Sequence, residues 1–390
     1  MQNIKLKTKS YSTKIRENIT MNNVESLLEK MVELKGSDLF LTAGAPATVK
    51  INGELIALND IPLNSYKVHE MVFSLMSEYQ RSEFTKTKEY NFAIQLESLG
   101  RFRVSAFQQR SNTGAVLRRI ETQIPTLEAL NLPKALEEFS MITRGLIIVV
   151  GATGAGKSST LAAMIGHRNI NSKGHIVSLE DPIEYIHEHK GCIITQREIG
   201  IDTDSYDIAL KNTLRQAPNV IVIGEIRSSE TMNYAITFAE TGHLCVATLH
   251  ANNANQALER IAHFMPIDSQ RHLWMDLSLN LKAIVAQQLV PKVDGNGRVA
   301  AVEILVNTPV IADHIRKGEI DVLKELMAKS GESNMQTFDQ ALFALYNEKK
   351  ISYESALKYA DSVNELRLMI KLNAGNPLST NGETLSIRKD

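Results

Sequence analysis

Little in this chain would anchor it, staple it or charge it. Cysteine is scarce: Cys192 and Cys245 are the only two in 390 residues. That is too few for a disulfide framework or a four-cysteine zinc site, and a reducing, cytoplasmic setting fits. No histidine or cysteine set shows metal-ligand spacing. No apolar run approaches the ~18 residues of a membrane span. The net charge is −1, so no overall field draws the chain to nucleic acid or anionic lipid. Residues 1–20 carry Lys5, Lys7, Lys9, Lys14 and Arg16 against Glu17 but lack the apolar core of a signal peptide. They read as a flexible basic extension, with Met21 a candidate start. There is no internal repeat. A content of 43% hydrophobic and 22% charged residues is ordinary for a soluble protein, and the length leaves room for two domains.

The pattern after Met21 divides the chain. Val24, Leu27, Leu28 and Met31 form the i, i+3, i+4, i+7 stripe of an amphipathic helix, with Gly36 placed to end it. Leu39–Leu41 reads as a short strand. Val49–Ile51 and Glu54–Ile56 flank Asn52-Gly53, a hairpin signal because a type I′ turn needs positive φ at both positions. Strands follow over Tyr90–Leu96, Arg101–Phe107 and Ala115–Ile120, separated by Gly100 and Gly114. Residues 21–120 are therefore expected to form a small α+β domain, and 121–144, with Pro125 and Pro133, a linker. From Gly145 the apolar runs Leu146–Val150, Ile176–Leu179, Val220–Ile223 and Leu244–Leu249 alternate with helical patterns. Such alternation predicts an α/β domain over 145–372, a parallel sheet covered by helices. The polar stretch 373–390 reads as a flexible tail.

One motif carries chemistry outright. The first of those runs leads into Gly151-Ala152-Thr153-Gly154-Ala155-Gly156-Lys157-Ser158, the G-x-x-x-x-G-K-[ST] phosphate loop in its strand-to-helix context. Gly151, Gly154 and Gly156 let backbone N–H groups approach a polyphosphate. The helix start adds its positive end, and Ser159 extends the binding stretch. Lys157 would reach the β/γ-phosphates, and the Ser158 hydroxyl would ligate Mg²⁺. The expected ligands are thus a nucleoside triphosphate, ATP, with Mg²⁺.

In open α/β sheets, ligands sit at the carboxyl ends of the strands. Three polar segments fall there: Ser178–Glu184, Gly224–Arg227 and Thr248–His250. An NTPase needs an acid on the Mg²⁺ side and a carboxylate that orients the attacking water. Glu225 occupies the first position, while Glu180, Asp181 and Glu184 compete for the second. Asp181, before Pro182, also suits a helix cap. His243 and His250 bracket a short strand, and spacing leaves His250 open between structural and catalytic use. His187 and His189, in a charged run, read as surface. Arg101 and Arg103 share one face of a strand, with Phe102, Val104 and Ala106 on the other. Arg118 and Arg119 end a second strand. These cations are either a solvated basic face or partners for a phosphate supplied from elsewhere.

Four motifs in this order resemble one family, the secretion-superfamily hexameric ATPases, in their twitching-motility or pilus-retraction branch. Walker A matches Gly151–Ser158. The Asp box resembles Ser178–His187, Walker B resembles Val220–Arg227, and the His box resembles Thr241–Asn252. The resemblance covers about 21–370 and implies a PAS-like N-terminal domain before a RecA-like ATPase core. It implies Glu184 as the water-activating acid, Glu225 as the Mg²⁺-side acid, and His243 and His250 as couplers of nucleotide state. It also implies a homo-hexamer in which Arg103 and Arg118 approach the γ-phosphate of a neighbouring subunit. Assembly and type II secretion motors usually carry an extra N-terminal domain and a four-cysteine insert, and this chain has neither. The helix A-I-R-N-L-I-R-E of the PilT-like group is replaced by Val310–Lys317 (VIADHIRK). Leu210–Pro218, Ala251–Arg260 and the long tail are more similar to the PilU-like group. The implied role is an accessory retraction motor beside a PilT-like partner motor and an inner-membrane pilus platform protein, peripheral to the membrane at its cytoplasmic face. A PilT-like primary motor and a regulatory subunit that hydrolyses little are the alternatives.

Overall fold

The computed structural model describes residues 23–374 apart from 52, 98, 121–122 and 331–333. The expected basic extension, Asn52 of the hairpin and the tail from 375 on lie outside the described residues. The chain forms two compact units, divided after Gln123.

The first unit runs α1 (Val24–Glu33), β1 (Asp38–Thr42), β2 (Thr48–Ile51), β3 (Glu54–Ala57), α2 (Ser65–Ser74), α3 (Glu78–Thr87), β4 (Glu89–Leu96), β5 (Gly100–Gln109) and β6 (Asn112–Arg119). Its antiparallel sheet has the order β3-β2-β1-β6-β5-β4. The Asn23 side chain caps α1 by accepting from Ser26 N at 3.0 Å. The expected stripe Val24, Leu27, Leu28 and Met31 is buried in one core with Leu39, Leu41, Phe102 and Val104. The helix end differs from expectation. Lys35, not Gly36, takes the left-handed conformation (φ 54), and Gly36 N–H closes the turn onto Met31 O at 2.8 Å. Gly36 is needed for space, because a Cβ there would lie 2.3 Å from Val49 Cγ1. Gly114 is likewise no separator. It sits inside β6 against the Phe107 ring, and the turn is made by Arg110 (φ 47) and Ser111 (φ 63). The helices α2 and α3 were not expected.

The second unit runs α4 (Ala135–Met141), β7 (Gly145–Val150), α5 (Lys157–Asn171), β8 (Gly174–Glu180), β9 (Cys192–Glu198), α6 (Tyr206–Thr213), β10 (Val220–Ile223), α7 (Ser229–Glu240) and β11 (Leu244–Leu249). It continues with α8 (Ala254–Phe264), α9 (Gln270–Asn280), β12 (Leu281–Pro291), β13 (Arg298–Val306), α10 (Pro309–Lys317), α11 (Leu323–Lys329), α12 (Phe338–Asn347), α13 (Tyr353–Tyr359) and α14 (Val363–Ala374). The stretch expected as a linker joins this unit from Ile124 on. Leu127, Leu136 and Phe139 bury against Ile147 and Val149 of β7, which fixes it in place.

The seven-stranded sheet has the order β13-β12-β7-β11-β10-β8-β9, parallel except for the outer pair β12–β13. The central strands β7, β10 and β11 are buried at every position and almost wholly apolar, because both faces are covered. On one face Leu146, Ile148 and Val150 pack with Ile221, Ile223, Cys245 and Ala247. On the other, Ile147 and Val149 pack with Val220, Val222, Leu244 and Val246. At ~25 cal/mol per Å² of apolar surface removed from water, these layers dominate the favourable side of folding. The register Ile223↔Leu179, Ile223↔Ala247 and Leu249↔Val150 brings the carboxyl ends of β8, β10, β11 and β7 to one edge. Among the described residues no helix is long and apolar enough to cross a membrane.

Candidate active site

The phosphate loop leaves β7 and enters α5 through two left-handed glycines, Gly154 (φ 76) and Gly156 (φ 91), the latter being the N-cap of α5. Gly151 serves a different need. Its missing Cβ lets the loop pass Gln287 of β12, whose carbonyl oxygen would otherwise lie 2.6 Å away. Gln287, which the sequence reading missed, pins this loop to the sheet. Its buried side chain accepts from Thr160 Oγ1 at 2.6 Å and donates to Ala155 O at 2.9 Å. Lys157 is buried and donates through Nζ to Gly151 O at 2.8 Å and Ala152 O at 3.1 Å. Burial lowers its pKa, against the pull of Glu225 and Glu184. Ser158 lines the cavity beside it. Ser159, next along the loop, has its Oγ 2.7 Å from the Tyr185 phenol oxygen.

The cavity encloses about 200 Å³ between this loop and the three strand ends. Thr153, Gly154, Lys157, Glu180, Asp181, Glu184, Glu225 and His250 all line it. Geometry separates the competing acids. Glu180 Oε1 accepts from Ser178 Oγ at 2.7 Å and Gln196 Nε2 at 3.0 Å. Burial raises its pKa while those two bonds oppose the rise. Asp181 caps no helix, since residues 181–191 form none; it pairs with Arg227 Nη1 at 3.1 Å. Glu225 is held on both sides, by Arg227 Nη2 at 2.7 Å and His250 Nε2 at 3.2 Å. Glu184 is exposed at the cavity wall, and none of the described residues bonds its carboxylate.

His250 therefore stands in the site, with its pKa lowered first by burial and then by Lys157, against Glu225. Its neutral ring donates to Glu225 through Nε2–H when the proton is on that nitrogen. His243, implied with it as a coupler of nucleotide state, is at the amino end of β11, where Nδ1 meets Thr241 Oγ1 at 3.1 Å. The strand between them spans roughly 20 Å, so the cavity does not include His243. His187 was expected on the surface, but its ring lines the cavity. Its Nδ1 is buried without a partner among the described residues, and burial lowers its pKa to about 4.

The arginines belong to the first unit. Arg103 and Arg118 lie directly opposite one another on β5 and β6. Arg118 Nε donates to Asp38 Oδ1 at 2.7 Å, and the Asp38 side chain is only 4% exposed. Arg118 thus has a structural partner within its own sheet.

A family model described as "Type II/IV secretion system protein" matches residues 16–352. The chain is 61% identical to "Type IV pilus ATPase PilU" of Pseudomonas aeruginosa, over 94% of this chain and 97% of that protein. It is 37% identical to "Type IV pilus retractation ATPase PilT" of the same organism, over 87% of this chain and 98% of that protein. A crystal structure of the pilus retraction motor PilT with bound ADP superposes with a TM-score of 0.84 at 38% identity, covering 89% of this chain and 99% of that one.

Proposed function

Because the chain belongs to the type II/IV secretion system protein family, we propose that it works as a PilU-like accessory motor of type IV pilus retraction, turning ATP hydrolysis into force. It is an ATPase of the retraction branch that serves twitching motility. The observation that carries the mechanism is one cavity holding a complete set: the glycine loop, Lys157, Ser158, Glu184 and Glu225.

The residues divide the work as follows. The loop N–H groups and Lys157 hold the polyphosphate, as left-handed glycines at a helix start allow. Ser158 and Glu225 are the oxygen ligands suited to Mg²⁺, a hard cation that keeps several waters and substrate phosphates in its shell. When bound, Mg²⁺ would supply neutralising charge to the polyphosphate. Glu184 is the unoccupied carboxylate at the wall and orients the attacking water. Arg227 and His250 hold Glu225 in place. Arg103, with Arg118, supplies guanidinium to a neighbouring subunit's phosphates in a six-membered ring. The motor sits at the cytoplasmic face of the inner membrane, held by a PilT-like partner and a platform protein.

ATP turnover of the purified chain, alone and with a PilT-like motor, tests the accessory reading. Turnover by the chain itself, abolished by Lys157→Ala and raised by the partner, is the expected result. Turnover equal to that of Lys157→Ala under both conditions would make it a regulatory subunit.

A further inference from the structure

Glu184 stands on a stretch with neither helix nor strand ladder to hold it. Residues 181–191 run irregularly between β8 and β9, yet the carboxylate that orients water has to be held to within about half an ångström of its productive position. Side chains from outside the stretch supply that fixation. Gln196, on β9, bonds the backbone just after Glu184: Nε2 donates to Tyr185 O at 2.8 Å, and Oε1 accepts from His187 N at 2.8 Å. The same Nε2 donates to Glu180 Oε1 at 3.0 Å, so one amide ties the Glu180 carboxylate to the backbone that follows Glu184. Glu198, two residues further along β9, accepts from Ile183 N at 3.3 Å. On the other side, the Tyr185 hydroxyl meets Ser159 Oγ at 2.7 Å. Ser159 belongs to the first turn of α5, next to Ser158 and Lys157. The acid-bearing stretch is therefore tied to β9 by an amide and to the phosphate-binding helix by a phenol.

We propose that Gln196, assisted by the Tyr185–Ser159 bond, is a positioning residue that sets Glu184 for water attack at the γ-phosphate. The proposal rests on Glu184 being the water-orienting acid. An amide is suited to this place. It offers one acceptor and two donors at once, whereas a carboxylate at 196 would lose both donors and face Glu180 with like charge. Gln196 touches neither nucleotide nor water in this role, so its removal alters the rate and leaves nucleotide affinity alone.

The experiment uses the full chain and reads three quantities: kcat for ATP, affinity for ADP, and the melting temperature. Gln196→Ala is expected to lower kcat about 10- to 100-fold with ADP affinity near that of the unchanged chain, and to lower the melting temperature only modestly, since three part-buried hydrogen bonds go with the side chain. Tyr185→Phe, which removes only the hydroxyl, is expected to lower kcat by less, in the same direction. In a Glu184→Gln background, Gln196→Ala is expected to cost nothing further, because it acts only through that carboxylate. Gln196→Ala with unchanged kcat would overturn the proposal. So would a loss of ADP affinity in step with kcat, or a further full loss in the Glu184→Gln background. If Glu184→Gln by itself turns over ATP like the unchanged chain, the reading of Glu184 fails first and the proposal falls with it.

Discussion

At the residue scale, the partners of each carboxylate decide its use. Glu225 is held between Arg227 and His250, so Glu225→Gln should weaken both contacts and slow turnover 10²-fold or more while ADP still binds. Equal turnover would assign the Mg²⁺ side elsewhere. A second buried acid makes a prediction about stability. Glu303 of β13 accepts from Ala254 N at 2.8 Å and Phe338 N at 3.4 Å, at the starts of α8 and α12. Burial nonetheless raises its pKa from 4.5 to about 7. The folded chain therefore keeps a proton that the unfolded chain releases above the ordinary carboxylate range. Its contribution is full below pH 4.5 and is lost as pH rises through about 7. Melting curves between pH 5 and 8 should show this decline, and Glu303→Gln should flatten it, a difference on the order of a few kcal/mol. An unchanged slope would show that the carboxyl is ionised throughout. The sequence concealed both Glu303 and the buried His187, because each stands in an unremarkable run and owes its environment to segments distant in the chain.

At the scale of elements, the loop from β7 to α5 depends on close approach to β12. Gly156 combines φ 91 with a position where a Cβ would lie 2.7 Å from Gln287 Nε2. Gly156→Ala should destabilise the fold by about 1 kcal/mol or more and remove ADP binding, as melting and a fluorescent-ADP titration would report. Gln287→Ala leaves Ala155 O and Thr160 Oγ1 without their partner and should cost about 1–3 kcal/mol. A melting temperature unchanged by both substitutions would show the loop to be independent of β12. The strands around this loop were legible in the sequence because central parallel strands, covered on both faces, read as near-continuous apolar runs. The outer strands were not. β9 (CIITQRE) ends in polar residues that serve the acid-bearing stretch, and β12 carries Gln287 and Gln288 inside an apolar run. In the first unit, reading glycine as punctuation misplaced two turns. Lys35, Arg110 and Ser111 take the positive φ values, while Gly36 and Gly114 answer to crowding by Val49 and Phe107.

At the scale of the whole molecule, the two units carry complementary chemistry, the anion loop on the second and the grouped arginines on the first. If a neighbouring subunit's arginine completes the site, Arg103→Ala and Lys157→Ala chains, each inactive alone, should regain part of the activity when mixed, since arginines supplied in trans are worth 10³–10⁵ in rate. No recovery in verified mixed assemblies would reject that arrangement. Removing the chain from a piliated cell should leave fibres assembled and impair retraction-dependent movement; loss of the fibres would indicate an assembly motor. Spacing along the chain placed His243 and His250 at opposite ends of one strand, and the structure keeps them there. The central claim is that one cavity both holds ATP and hydrolyses it through Glu184. Comparing ADP affinity and ATP turnover in Glu184→Gln and Lys157→Ala tests it most directly. Glu184→Gln should bind ADP like the unchanged chain and lose turnover 10²–10⁴-fold, while Lys157→Ala should lose binding as well. Turnover by Glu184→Gln at the rate of the unchanged chain would contradict it.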